Sequence, residues 1–151
     1  MVDLPDGLSD NLFDDSIKRG AIIRTKFKFE SGKESYKYFI AVSRDTASDP
    51  LVFIITTSKI DFYHKHPVFN NDIVGVQGKS LSCFPIDTVL DCRQIYPLSR
   101  QTLKENFRKQ ILEFCGELPE QLIQRIDDVV KTSKHISTKH KKLILGDYWW
   151  R

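Results

Sequence analysis

One short segment of the sequence combines the residue types that hold an unpaired nucleic-acid strand. Residues 58–67 read Ser-Lys-Ile-Asp-Phe-Tyr-His-Lys-His-Pro, so aromatic rings and cationic side chains are interleaved. Rings of this kind stack on bases while cations neutralise phosphates, and single-stranded RNA is recognised largely in this way. The alternative is a loop whose Phe62 and Tyr63 cap a β-barrel. The first interpretation predicts RNA contacts from Lys59, Tyr63, His64 and Lys65.

A second set of cations lies on one face of a predicted strand, residues 21–29. Apolar and threonine side chains occupy the odd positions from Ile23 onward, and basic side chains occupy the even positions. This period of two is typical of a strand with one face on the core and the other exposed. We therefore expect a basic face that contacts RNA through Arg24, Lys26 and Lys28.

The net charge of +3 is distributed unevenly along the chain. Five aspartates and no Lys or Arg precede Lys18, whereas residues 131–151 contain six Lys or Arg and only one acidic residue, Asp147. A basic end of this kind suits an anionic partner. The alternative is a set of solvated lysines that complement the dipole of a helix C-terminus.

The cysteines and histidines are not spaced as metal ligands. Cys83, Cys92 and Cys115 form an odd set without a C-x-x-C motif, and the pair His64 and His66 lacks further ligands nearby. Zinc sites and disulfide frameworks need closer or paired spacings. We expect no metal ion and no other cofactor, and we expect free thiols suited to a reducing compartment.

The apolar stretches are too short for a membrane span. The longest, residues 38–42 and 51–55, are far below the roughly 20 residues that a spanning helix needs. The acidic first residues also lack the cationic region of a secretory signal. We expect a cytoplasmic protein without a membrane partner.

The remaining pattern predicts an α+β fold, mainly β, with C-terminal helices. Short segments rich in Val, Ile, Phe and Tyr are separated by polar loops and contain little helix between them, which favours a small antiparallel barrel. Residues 1–19 read as a loop with at most one helical turn. Besides residues 21–29, the predicted strands are residues 36–43, 51–57, 72–77, 80–84 and 88–96.

The last third of the sequence changes to a helical period. Thr102 and Glu105 have the spacing of a capping box, and apolar residues follow at helical spacing until Gly116. A second amphipathic helix is predicted to begin near Pro119. Beyond Lys134 the chain becomes polar and basic and ends in an aromatic tail.

The order of these segments resembles the MazF/PemK family of toxin ribonucleases over about residues 18–137. No single motif is specific, and Ala21 replaces the acidic residue usual in the family's opening strand. The similarity therefore lies in several motifs that occur in the family's order. They are Lys18-Arg-Gly-Ala-Ile-Ile-Arg24, Tyr38-Phe-Ile-Ala-Val-Ser43, Leu51-Val-Phe-Ile-Ile-Thr-Thr-Ser58, Val89-Leu-Asp-Cys-Arg-Gln-Ile95, Leu98-Ser-Arg-Gln-Thr-Leu103 and Gly116-Glu-Leu-Pro-Glu-Gln-Leu122.

This resemblance implies an SH3-like antiparallel barrel that forms a homodimer and cuts single-stranded RNA without a metal ion. In that chemistry the ribose 2′-OH attacks the adjacent phosphate and leaves 2′,3′-cyclic phosphate and 5′-OH ends. The family also implies an acidic antitoxin partner. The corresponding division of the chain is an N-terminal extension (1–19), a barrel domain with helices (20–137) and a basic, Trp-ended tail (138–151).

Three candidate catalytic residues follow from the resemblance. Lys37 occupies the position of an arginine in the commoner family pattern, and it keeps the charge without the planar fork. Thr57 matches the family's threonine at the end of the third strand, and Glu34 is nearest to its loop glutamate. The alternatives are an exposed loop lysine, an ordinary strand threonine and a solvated glutamate.

Asp91 and Arg93 complete the set of candidate catalytic residues. The PemK-like branch uses Arg-x-Asp in its late strand, and this sequence has the two residue types in reversed order. Residues two apart on a strand share a face, so a common site and a structural ion pair are both open. These departures also leave open a catalytically weak or inactive module that binds RNA or an acidic protein, and an interaction protein that uses the aromatic tail.

Overall fold

Alternating apolar side chains build one six-stranded antiparallel sheet in the computed structural model, which describes residues 5–150. The strands lie in the order β4-β5-β3-β2-β1-β6. Thus β2 and β3 are central, as their nearly continuous apolar sequences predict. The strand bounds are β1 Ala21–Lys28, β2 Glu34–Ala41, β3 Leu51–Thr57, β4 Ile73–Val76, β5 Thr88–Leu98 and β6 Leu112–Glu117.

Helices cover both faces of this sheet. On one face α4 and α5 contribute Ile126, Val130 and Ile144 to a core that also contains Ile22 and Ile54. On the other face Phe13 of α1, Ile17 at the C-cap of that helix and Leu103 of α3 pack with the aromatic side chains of β2 and β3. The helical segments are α1 Asp6–Ser16, α2 Ile60–Lys65, a 3₁₀ turn Pro67–Asp72, α3 Arg100–Arg108, α4 Glu120–Thr132 and α5 Thr138–Leu145.

The α+β class, the antiparallel sheet and the C-terminal helices are confirmed, but closure into a barrel is not. Within residues 5–150, β4 and β6 form the two edges of the sheet and pair with β5 and β1 respectively. The alternation in β1 is confirmed, since Ile23 and Thr25 are buried whereas Lys26 and Lys28 are exposed. No helix among the described residues is long and apolar enough to cross a bilayer.

The predicted helix from Thr102 to Gly116 is wrong in its second half. The helix ends at Arg108, Gln110 adopts a left-handed φ of 63°, and Leu112–Glu117 forms β6 against β1. Ile111 and Phe114 continue the helical spacing, whereas Leu112 and Phe114 fit the period of two of a strand, and pairing with β1 decides between them. The cap residue is Ser99, whose hydroxyl accepts a hydrogen bond from the Thr102 amide.

Two other segments differ from their predicted states. The extension before Gly20 contains the three-turn helix α1, which is stabilised because Phe13 and Ile17 are buried against the sheet. Residues 80–84 form an isolated bridge between Leu81 and Phe84 instead of a strand. The C-terminal tail contains α5, and residues 1–4 and 151 of the two terminal segments lie outside the described residues.

Candidate functional site

Two adjacent cavities open where β2 and β3 separate. The ladder between these strands pairs Phe39 with Ile55 and Ala41 with Phe53, and its continuation would place Lys37 opposite Thr57. Both cavities are lined by Lys37, Thr56, Thr57 and Lys59. The first, which we call the aromatic cavity, has a volume of about 390 Å³, and its other lining residues are Phe29, Ile55, Phe62, Tyr63, Gln94 and Tyr96.

The second cavity, which we call the loop cavity, has a volume of about 320 Å³ and includes the same four residues in its lining. Tyr36 and Tyr38 of β2 form one wall, and the segment after β4 forms another. The guanidinium carbon of Arg24 lies 4.2 Å from the centroid of the Tyr36 ring, so the predicted basic face of β1 adjoins this cavity. The lining from the segment after β4 consists of Cys83, Phe84, Pro85 and Ile86.

Thr57 presents a hydroxyl that is oriented but still able to donate. Its Oγ1 accepts a hydrogen bond from the Lys59 backbone amide at 3.1 Å, which leaves the hydroxyl hydrogen for another partner. The neighbouring Thr56 hydroxyl is instead used within the sheet, since it donates to the Tyr38 carbonyl at 3.3 Å. Of these two adjacent threonines, Thr57 is therefore the better donor to a ligand.

The two lysines of the shared wall leave their charge available to a ligand. Among the ion pairs of residues 5–150, none includes Lys37 or Lys59. The Lys37 ammonium lies 5.9 Å from the Phe29 ring centroid, and Lys59 is exposed. Two cations and a hydroxyl donor that line the same two cavities are the kinds of group that bind a phosphate oxygen.

Asp91 and Arg93 contact each other, and neither of them lines the aromatic cavity. The Asp91 side chain is 1% exposed and receives hydrogen bonds from the Tyr63 hydroxyl, the Arg93 guanidinium and the Arg93 amide at 2.8, 2.8 and 3.0 Å. Arg93 also lies over the Phe69 ring at 3.5 Å from its centroid. These contacts support the structural ion-pair interpretation and give Asp91 a positioning role.

An irregularity in β5 explains this arrangement. Ile54 pairs with Ile95, yet the next residue, Ile55, pairs with Asp91, so three residues of β5 are extra at this point. Bulges of this kind turn side chains away from the regular alternation and occur near functional sites. Here the bulge directs Arg93 toward Asp91, while Gln94 lines the aromatic cavity.

Tyr63 anchors α2 to the sheet through Asp91. Burial is the main cause that raises the pKa of the Tyr63 phenol above its usual value, and the bonded Asp91 carboxylate raises it further. The phenol therefore stays protonated at neutral pH and remains a hydrogen-bond donor. This role resembles the covering loop considered from the sequence, although the segment is helical and Phe62 stays 44% exposed.

The other predicted site residues do not line either cavity. Glu34 is exposed at the start of β2 and pairs with Lys26 at 3.5 Å, and it does not line either cavity. Lys28 is exposed at the end of β1, and His64 and Lys65 are exposed on α2. No local signal marks Gln94, Tyr96 and Phe29 as site residues, because their convergence depends on the β5 bulge and on pairing between distant strands.

No protein-family model matches this sequence, and no curated protein matches it. The resemblance to MazF/PemK proteins therefore stays a proposal. Among residues 5–150, no group of three or more His, Cys, Asp or Glu side chains is placed to hold a metal ion.

The three cysteines are expected to react slowly with alkylating reagents in the folded protein. Burial raises the pKa of Cys83 and Cys92, and it raises the pKa of Cys115 to about 11. Since only the thiolate is nucleophilic, few molecules are reactive at pH 8. Iodoacetamide labelling followed by mass spectrometry should give rates well below those in urea, with Cys115 reacting faster as pH rises toward 11. A thiol labelled at pH 7 as fast as free cysteine would contradict this expectation.

Proposed function

We propose that this protein is a metal-independent endoribonuclease toxin of the MazF/PemK type that binds single-stranded RNA across the two cavities. The observation that carries the proposal is the placement of Lys37, Thr57 and Lys59 on the wall shared by both cavities. Each cavity has an aromatic side on which a base can stack, and the shared wall supplies charge for the phosphate between them. The proposal includes an SH3-like arrangement of the sheet, a homodimer, an acidic antitoxin and a cytoplasmic location.

In the proposed reaction the ribose 2′-OH attacks the phosphorus atom and the 5′-oxygen of the next nucleotide leaves. Lys37 and Lys59 stabilise the charge that develops on the phosphate oxygens, and Thr57 donates a hydrogen bond to one of them. Neither cavity is lined by a carboxylate among the described residues, since Glu34 and Asp91 lie outside both. The 2′-OH proton therefore passes to water, and water returns a proton to the leaving oxygen.

A second candidate function is RNA binding without cleavage. It is favoured by the same feature, because a general base normally accelerates such a step by about 10²–10⁴-fold and the described lining offers no carboxylate for it. The cations and aromatic rings would then hold RNA, or an acidic protein segment, without cutting it.

Removing the Thr57 hydroxyl is expected to slow RNA cleavage by about 10²-fold, because one donor to the developing oxyanion is lost. The assay incubates the purified protein with mixed single-stranded RNAs in EDTA and identifies the end groups. The expected products carry 2′,3′-cyclic phosphate and 5′-OH ends, with Thr57→Ala impaired and Thr57→Ser, the matched control, close to wild type. Tight binding without cleavage would favour the second function, and cleavage that is undiminished in Thr57→Ala and in Lys37→Ala would overturn the site.

A further inference from the structure

Two cysteines that are distant in the sequence meet where the loop after β4 reaches the far edge of the sheet. This loop, residues 77–87, follows one edge strand, β4, whereas Cys115 lies on the other edge strand, β6. The Cys83 sulfur of the loop nevertheless lies 3.1 Å from the position that a Cβ atom on Gly116 would occupy. Both cysteines are free, so the fold places two thiols at one point.

A bulge in β6 places the second thiol beside the first. Ile22 of β1 pairs with Gly116 and Ile23 pairs with Phe114, so Cys115 is the extra residue of β6 at this point. A bulge changes the direction of a side chain relative to the regular alternation of a strand. The Cys115 thiol forms a hydrogen bond with the Cys83 thiol, and both side chains pack against the same apolar core.

The loop holds Cys83 in a fixed position. The next residue, Phe84, is 3% exposed, and its ring centroid lies 5.8 Å from that of Tyr38 on β2. The Phe84 carbonyl accepts a hydrogen bond from the Lys79 amide at 2.9 Å, and the Phe84 amide donates to the Leu81 carbonyl at 3.1 Å. The contact between the two thiols is therefore built into the folded chain.

Cys83 is the more reactive thiol of the pair. Burial raises the pKa of both thiols, and the charge of Cys83 adds to the rise for Cys115, whose pKa reaches about 11. The hydrogen bond between the thiols lowers the pKa of Cys83 in part and raises the pKa of Cys115 further. Cys83 also lines the loop cavity, which gives a small reagent access to its sulfur.

We propose that Cys83 and Cys115 form a reversible disulfide when the protein meets a small-molecule disulfide of the glutathione type. In the first step the Cys83 thiolate attacks one sulfur of the reagent, the S–S bond breaks, and one half leaves as a thiolate that takes up a proton. In the second step the Cys115 sulfur attacks the Cys83 sulfur, and the other half leaves with the Cys115 proton. The protein loses two hydrogen atoms, and the small disulfide is reduced to two thiols.

The contact between the thiols makes the second step fast relative to the first. The first step is bimolecular, and it is slow because Cys83 is mainly protonated at neutral pH. The second step is intramolecular, and its two sulfur atoms are already neighbours. Cys92 does not compete, since its side chain is fully buried. A transient disulfide of this kind suits a reducing compartment, and the inference does not rest on RNA cleavage.

The test incubates the folded, reduced protein with excess oxidised glutathione at pH 8 until its mass no longer changes. Digestion with trypsin and with an endoproteinase that cuts before Asp87 separates Cys83 from Cys92 for mass spectrometry. We expect a protein without glutathione in which Cys83 is linked to Cys115, and we expect dithiothreitol to restore both thiols. In urea the preferred disulfide should instead join Cys83 to Cys92, because the shorter loop costs less entropy to close.

Two single variants test the order of the steps. Cys115→Ser should keep one glutathione on Cys83, because the thiol that would displace it is missing. Cys83→Ser should add glutathione to Cys115 at least about threefold more slowly than Cys115→Ser adds it to Cys83, since fewer Cys115 side chains are thiolates.

Four results would overturn the inference. They are three free thiols at the end point, glutathione that stays on Cys83 of the wild-type protein, a native disulfide that includes Cys92 or joins two chains, and faster modification of Cys115 than of Cys83 in the single variants. Every readout is a protein or peptide mass, so a failure here is distinguishable from a failure of the proposed ribonuclease activity.

Discussion

Asp91→Ala is expected to lower the free energy of unfolding by about 3–5 kcal/mol, because it removes one partner of a buried ion pair. The carboxylate is 1% exposed and lies on β5, where it pairs in register with Ile55 of β3 and Ile73 of β4. Its loss leaves the Arg93 guanidinium and the Tyr63 hydroxyl without their acceptor. Urea unfolding followed by tryptophan fluorescence measures the change.

Two milder variants separate the parts of this network. Tyr63→Phe removes one hydrogen bond to a charged group and should cost about 1.5–3 kcal/mol. Asp91→Asn keeps the shape and some acceptor capacity, so its loss of stability should be smaller than that of Asp91→Ala. A stability of Asp91→Ala within about 0.5 kcal/mol of wild type, the usual range for surface substitutions, would contradict the buried network and restore Asp91 as a catalytic candidate.

The double variant Lys37→Ala/Lys59→Ala is expected to lose RNA cleavage by on the order of 10³-fold or more, since two charges are removed from one phosphate site. RNA affinity should fall as well, and the slope of log affinity against log salt should become shallower by about 0.7 for each phosphate that is no longer neutralised. Fluorescence anisotropy with a labelled single-stranded RNA, repeated at several salt concentrations, measures both the affinity and the slope.

A matched control tests whether position or total charge matters. Lys33 and Lys109 are exposed lysines that line neither cavity, so Lys33→Ala/Lys109→Ala removes the same charge elsewhere. We expect this control to retain cleavage and most of the RNA affinity. Equal losses in the two double variants would show that RNA is attracted by net charge alone and would remove the cavities from the proposal.

A strand can be predicted from the sequence where its period is local and unambiguous. Residues 51–57 are predicted as a strand and form β3 over that range, since their apolar and β-branched side chains suit a strand buried on both faces. Residues 112–117 cannot be assigned in this way, because apolar side chains at 111 and 114 continue the helical spacing and only pairing with β1 excludes it. The helix α1 escapes prediction because its stability comes from burying Phe13 and Ile17 rather than from helix propensity.

In the candidate site, too, some residues could be predicted from the sequence and others could not. The resemblance assigns Lys37 and Thr57 to one site, and the two residues do line common cavities. The spacing of Asp91 and Arg93 allows their ion pair to be anticipated, whereas nothing in residue type reveals that the Tyr63 hydroxyl also donates to Asp91. Gln94 enters the aromatic cavity through a bulge in β5, and its position depends on pairing with β3 that no local pattern encodes.

The position of a bound RNA phosphate tests the central claim most directly. A crystal structure with a short RNA that carries a 2′-deoxy group at the nucleotide to be cut would trap the complex, because the attacking 2′-OH is absent. We expect a phosphate oxygen within hydrogen-bond distance of the Thr57 hydroxyl and close to the Lys37 and Lys59 ammonium groups, with a base in each cavity. RNA bound elsewhere, with both cavities empty, would contradict the account.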